Sequence, residues 1–186
     1  MSVRVLALVG SLRAGSHNRQ LAHLAAQVAP EGTEVEVYEG LGELPFYNED
    51  LDTADLLPEA AARLRRTAAE ADALLLLSPE YNGTIPAVLK NAIDWLSRPF
   101  GAGAIGGKPV AVIGTAHGQY GGTWAHDEAR KAVKIAGGTV LEDITLSIPG
   151  SVVRFADTHP ADDAEIAAQV SDTVARLART LAPQAA

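Results

Sequence analysis

Apolar residues follow two rhythms along this chain. VRVLALV (Val3–Val9), ALLLLS (Ala73–Ser78) and PVAVIGT (Pro109–Thr115) are apolar almost without a break, the pattern of strands covered by helices on both faces. TEVEVYE (Thr33–Glu39) alternates polar and apolar positions, and TVLEDITLSI (Thr139–Ile148) is a weaker apolar stretch; both suit strands nearer the edges of a sheet. Between these runs apolar residues recur every three or four positions. Asn18 to Val28 carries Leu21, Leu24, Ala25 and Val28 on one face, with Ser16 placed to cap the helix. IPAVLKNAIDWLS aligns Ile85, Val88, Leu89, Ala92, Ile93 and Leu96, which predicts a helix starting at Thr84 or Ile85 with Pro86 in its first turn. Pro58 to Glu70, Gly122 to Ala136 and Asp162 to Leu181 complete five helices.

Five strands alternating with five helices are repeated βαβ units, which require a parallel sheet. No GxGxxG follows the first strand. The expected architecture is therefore α/β, a flavodoxin-like three-layer sandwich with a five-stranded parallel sheet in the order 2-1-3-4-5. At 186 residues, with no repeat or linker, the chain is expected to form a single domain over 1–186. It has no cysteine, which removes disulfides and thiolate metal sites and points to a reducing, cytoplasmic setting. No apolar stretch approaches the ~20 residues of a membrane span. A net charge of −8 without a basic stripe argues against nucleic acid as a partner.

Ligands of such sheets sit beyond the carboxyl ends of the strands, where the strand order reverses. Three loops are expected there: Gly10 to Asn18 after the first strand, SPEYNGT (Ser78–Thr84) after the third and GTAHGQYGG (Gly114–Gly122) after the fourth. In GSLRAGSHNR, Gly10 and Gly15 have the spacing of a phosphate loop, but Ser16 stands where its lysine belongs and His17 where its metal-binding hydroxyl belongs. Backbone N–H groups, a helix N-terminus, the neutral side chains of Ser11, Ser16 and Asn18 and the fixed charge of Arg13 suit a terminal phosphate monoester. They do not suit the transfer of a γ-phosphoryl group.

GSLRAGSHNRQLA, LPFYNEDL and above all SPEYNGTIPAVLKNAIDWLSRP resemble the NADPH-dependent FMN reductases, a flavodoxin-like family that includes quinone and chromate reductases and some azoreductases. The resemblance runs from the first strand to about Arg98 and more loosely through GTAHGQYGG. It implies FMN as cofactor, NADPH or NADH as hydride donor, and a homodimer or homotetramer. The acceptors it implies are small molecules: quinones, flavins, azo compounds or metal oxyanions. The FMN phosphate would lie on Ser11, Arg13, Ser16 and Asn18, and the ring along Pro79, Glu80, Tyr81, Asn82 and Gly83, with further contacts from Thr115, His117 and Gly118.

Hydride transfer through a flavin needs no protein acid or base, so no catalytic side chain is assigned. Glu80 reads as a structural or interface acid, and His117 as a ligand contact or a satisfier of local backbone. The other histidines, His17, His23, His126 and His159, have no partners at ligand spacing, and no metal site is expected. Trp95 reads as a packing residue. Phe46 and Tyr47, two aromatics in one loop, are expected to lie in a subunit contact, with local packing as the alternative. The rival function is a flavodoxin-type FMN electron carrier, disfavoured by an arginine in a phosphate loop where a carrier would have only hydroxyls.

Overall fold

Strand β1 (Val3–Val9) lies between β2 (Thr33–Tyr38) and β3 (Ala73–Leu77) in a computed structural model that describes residues 2–181. Beyond β3 come β4 (Pro109–Thr115) and β5 (Thr139–Val140), giving the order β2-β1-β3-β4-β5 with every pairing parallel. This is the order expected from the sequence. Met1 and residues 182–186, the extremes of the expected domain, lie outside the described residues.

The pleat divides the apolar strands between two layers. Leu6, Leu8, Leu74, Leu76, Val110 and Val112 face one side, where they pack on α2 (Glu59–Glu70), α3 (Ala87–Leu96) and α4 (Thr123–Ile135). Val5, Ala7, Val9, Leu75, Leu77, Ala111 and Ile113 face the other, against α1 (His17–Gln27) and the C-terminal helix Ala164–Arg179. Continuous apolar runs are thus buried on both faces.

Most element ends shift by one or two residues from the sequence reading, and two departures have a clear physical cause. The stretch Thr139–Ile148 is two short strands: β5, and β6 (Ser147–Ile148), which pairs with Gly114 and Thr115 at the far end of β4. Glu142 and Asp143 interrupt it with a turn in which Ile144 N–H reaches Leu141 O, since acidic residues are poor strand formers. Helix α3 begins at Ala87 rather than Thr84 or Ile85. Thr84 is held in a turn with Tyr81, and a residue before proline, here Ile85, is driven out of the helical region. A short helix α5 (Ser151–Arg154) follows β6, and the helix Ala164–Arg179 is α6.

Candidate active site

Gly10 is where the chain leaves the sheet. Its N–H donates to Leu77 O at 2.8 Å, and a Cβ there would lie 3.3 Å from both Leu89 and Pro79, so the glycine lets the first loop close against the third-strand loop. Past it, the backbone N–H groups of Ser11 through Gly15, and those of His17 and Asn18 at the start of α1, donate no hydrogen bond among the described residues. Ser16 caps α1, accepting from Arg19 N–H. Arg13 is exposed, has no ion-pair partner among the described residues, and folds back over Gly15. Unpaired donors, a helix N-terminus and an uncommitted cation form an anion cradle. This observation fits the phosphate of a mononucleotide. His17 flanks the cradle against Phe155, and burial, with help from Arg13 and His159, holds its imidazole below the usual range.

Asn18 has a second role that its place in the sequence does not reveal. It is buried, and its amide bridges to the third loop: Nδ2 donates to Thr115 O and Oδ1 accepts from Thr115 N–H, both at 2.9 Å. Thr115 Oγ1 in turn donates to Ile148 O at 2.8 Å. A ligand anion would therefore meet the backbone N–H of Asn18 rather than its amide.

In the second loop, Tyr81 and Thr84 exchange backbone hydrogen bonds at 3.2 Å around Asn82 and Gly83, both with positive φ. This is the Asn-Gly signature of a type I′ turn. The turn leaves Tyr81 half exposed and the N–H groups of Glu80, Asn82 and Gly83 without partners among the described residues. Glu80 is a structural acid here: its carboxylate accepts from Ala125 N–H at 3.2 Å, capping α4. Pro79 is buried between the loops. In the third loop Thr115 is buried, whereas His117 and Gly118 are exposed, their N–H groups unpaired among the described residues.

The residue that sequence reasoning missed is His126. It is fully buried, with Nε2 2.9 Å from Ser78 O and Nδ1 2.7 Å from Ser147 Oγ. A carbonyl can only accept, so Nε2 carries the proton and the Ser147 hydroxyl donates to Nδ1. Burial pushes its pKa down to about 4, against the opposing pull of the Ser78 carbonyl; Arg130 adds to the depression and Asp127 opposes it. In the sequence His126 is one polar residue of an amphipathic helix. Only the fold reveals the glycines that make room for it: a Cβ at Gly114 would lie 2.9 Å from Nε2 and one at Gly122 3.1 Å.

Of the two loop aromatics, only Phe46 projects into solvent. Tyr47 instead packs edge-on against buried Trp95 at 4.9 Å, and Trp95 Nε1 donates to Pro45 O. For Tyr47 the local-packing alternative holds, because the loop is tied to α3 by Asn91, which bonds Tyr47 N–H and Pro45 O.

A parallel sheet in this order, with an anion cradle after β1 and a donor-lined turn after β3, defines a flavodoxin-like mononucleotide-binding protein. The model of one family, described as NADPH-dependent FMN reductase, matches residues 3–152. The chain belongs to that family; it is an FMN oxidoreductase that draws its electrons from NAD(P)H. A 2-hydroxy-1,4-benzoquinone reductase from a Burkholderia species is 44% identical over 70% of this chain and 69% of its own. A quinone reductase from Pseudomonas putida is 37% identical over 86% and 84%. Among solved structures, the flavoenzyme NAD(P)H:(acceptor) oxidoreductase FerB from Paracoccus denitrificans aligns with a TM-score of 0.84 at 32% identity, covering 95% of this chain and 96% of its own.

Proposed function

We propose that this protein is a quinone reductase. In this reading it takes two electrons from NADPH or NADH and delivers them to a small quinone through FMN bound across the three loops. The observation that carries the reading is the first loop, whose unpaired N–H groups and uncommitted Arg13 fit a dianionic phosphate. Ser11, Arg13, Ser16 and the start of α1 would hold that phosphate. Pro79 through Gly83 would border the ring, and Thr115 through Gly118 would close the remaining side. When bound, FMN supplies the two-electron chemistry. The chain's own part is to hold the ring with one face open and to present the N–H groups of Glu80, Asn82 and Gly83 where negative charge builds up on reduction. Quinones are favoured as acceptors because the relatives at 44% and 37% identity carry quinone reductase names. Free flavin, azo compounds and metal oxyanions are the competing acceptors.

The test is steady-state oxidation of NADPH and of NADH by the FMN-loaded protein against 1,4-benzoquinones, azo dyes, chromate and free FMN. The expected result is the highest kcat/KM with a benzoquinone; faster turnover of another class would reassign the acceptor.

The same reading makes the protein one domain, a cytoplasmic enzyme and a homodimer or homotetramer with the flavin near a subunit boundary. Support for assembly comes from apolar side chains left in solvent: Phe46, Tyr81, Tyr120 and Trp124 around the loops, and Phe100 and Ile135 beside a cavity of about 610 Å³ between the C-terminal ends of α3 and α4. None of the described helices is long and apolar enough to cross a membrane. Light scattering at micromolar concentration is expected to give two or four times 19.4 kDa; a monomer would overturn the assembly.

A further inference from the structure

Ser78 closes the last stretch of hydrogen bonding between β3 and β4 before the chain enters the ring loop. Its N–H still follows the ladder, donating to Ile113 O at 3.0 Å. Its carbonyl does not, because β4 has already turned away: Gly114 N–H goes to Leu146 O, and Thr115 N–H goes to Asn18. The donor that β4 withholds is supplied by His126 Nε2. One residue earlier in α4, Ala125 N–H holds the Glu80 carboxylate. Two consecutive residues of α4 thus grip Ser78 and Glu80, on either side of a proline whose φ is fixed.

We propose that His126 is a positioning residue for the flavin: by holding the Ser78 carbonyl it fixes the height of the Ser78–Gly83 loop, and so aims the Glu80, Asn82 and Gly83 N–H groups that favour the reduced ring. The inference rests on the reading that FMN binds along this loop. Three features set His126 apart from a space-filling core residue. The Ser147 hydroxyl commits Nδ1 as acceptor, which leaves Nε2 as donor toward Ser78. The ring lies so close to Gly114 that a Cβ there would meet Nε2 at 2.9 Å, and it crowds Gly122, where a Cβ would lie 3.1 Å away. Finally, a Cβ at Gly114 would also meet Ser78 O at 2.3 Å and Asn18 Oδ1 at 2.7 Å, so the imidazole sits at the junction where all three loops meet. Leucine could fill such a space but could not hold the carbonyl.

The experiment measures the midpoint potential of the bound FMN by equilibration with reference dyes, in the wild type, His126→Leu, His126→Gln and Ser147→Ala. His126→Leu is expected to weaken binding of the reduced ring about tenfold more than that of the oxidised ring, a potential about 30 mV more negative for two electrons. His126→Gln, whose side-chain amide can still donate toward Ser78 O, is expected to recover most of the shift. If His126→Leu does not fold, as judged by circular dichroism, Ser147→Ala decides: the ring stays in place with its tautomer unlocked, and a smaller shift of the same sign is expected. An unchanged potential in the folded His126→Leu protein, or in Ser147→Ala where that variant must decide, would overturn the proposal, as would equal shifts in His126→Leu and His126→Gln. A wild-type protein that binds no FMN would instead overturn the site reading on which the proposal rests.

Discussion

Asn18 and Thr115 are 97 residues apart in sequence, yet the side-chain amide of one satisfies both the N–H and the C=O of the other, each at 2.9 Å. This pair fastens the first turn of α1 to the end of β4, and so ties the phosphate cradle to the third loop. Asn18→Ala would leave a buried donor and a buried acceptor unpaired, at a cost of about 2–3 kcal/mol. Urea unfolding should show that loss as a lower midpoint with an unchanged slope, and FMN affinity should fall with it. A variant as stable as the wild type would show that the bridge contributes nothing.

Arg13 makes the complementary case, for it lacks an ion-pair partner among the described residues and packs over Gly15. Removing it should cost binding and leave folding intact. Arg13→Ala is expected to weaken FMN by ~1.5–3 kcal/mol, roughly one to two decades, while affinity for riboflavin, which has no phosphate, stays the same. Fluorescence titration of the apo-protein with both flavins separates the two effects; equal losses for both would place Arg13 at the ring or in the fold.

Gly114 explains why the junction tolerates no side chain. A Cβ there would meet Ser78 O at 2.3 Å, Asn18 Oδ1 at 2.7 Å and His126 Nε2 at 2.9 Å, all of them groups fixed by hydrogen bonds. Gly114→Ala should cost about 1–3 kcal/mol through overpacking and lower FMN affinity by spreading the loops. Thermal melting of the apo-protein and flavin titration check the two halves of that expectation, whereas unaltered melting would mean that the loops give way freely.

These contacts also show what the sequence could disclose. The runs Val3–Val9 and Pro109–Thr115 are strands with those limits because burial on both faces demands uninterrupted apolar residues, a local and readable constraint. Ser16 was readable as a cap for the same reason. Asn18, by contrast, could be read only as a polar residue near an anion loop, because its partner lies on another strand. His126 could not be read at all: its role depends on β6 bringing Ser147 beside β4 and on β4 turning away from Ser78. Tyr47 misled because a loop aromatic declares neither its partner Trp95 nor the Asn91 amide that folds the loop onto α3. Periodicity reports which face an element buries, but not which distant side chain completes a polar junction.

His126 gives the fold a defined weakness to acid. Its pKa of about 4 in the folded protein lies below the ordinary value near 6.5, so the unfolded chain takes up the proton first. Stability from this group is therefore full above about pH 6.5 and is lost as pH falls toward 4. The loss amounts to about 3 kcal/mol. Denaturation followed at stepwise pH should show this decline in the wild type and a flatter curve over the same window in His126→Gln. Parallel curves would mean that the imidazole does not titrate differently on unfolding.

The last expectation concerns how two substrates use one crevice. The three loops converge at the carboxyl ends of β1, β3 and β4, and the GxGxxG at Gly101–Gly106 follows a helix and precedes a strand, the reverse of the strand–turn–helix context that would anchor a dinucleotide elsewhere. If the ring is backed by Pro79 and the packed loops, a single face remains open, and the nicotinamide and the quinone must occupy it in turn. The oxidised nicotinamide then has to leave before the acceptor can react. Initial rates with NADPH varied at several fixed benzoquinone concentrations should give parallel double-reciprocal lines, with each substrate inhibiting competitively against the other at high concentration. Tyr81, Tyr120 and Trp124, exposed on the second and third loops and the first turn of α4, offer flat apolar surface to planar rings. Trp124→Ala is therefore expected to raise KM for both substrates more than it lowers kcat. Intersecting lines would require both substrates on the enzyme at once, and with them a second site that the crevice between these loops does not provide.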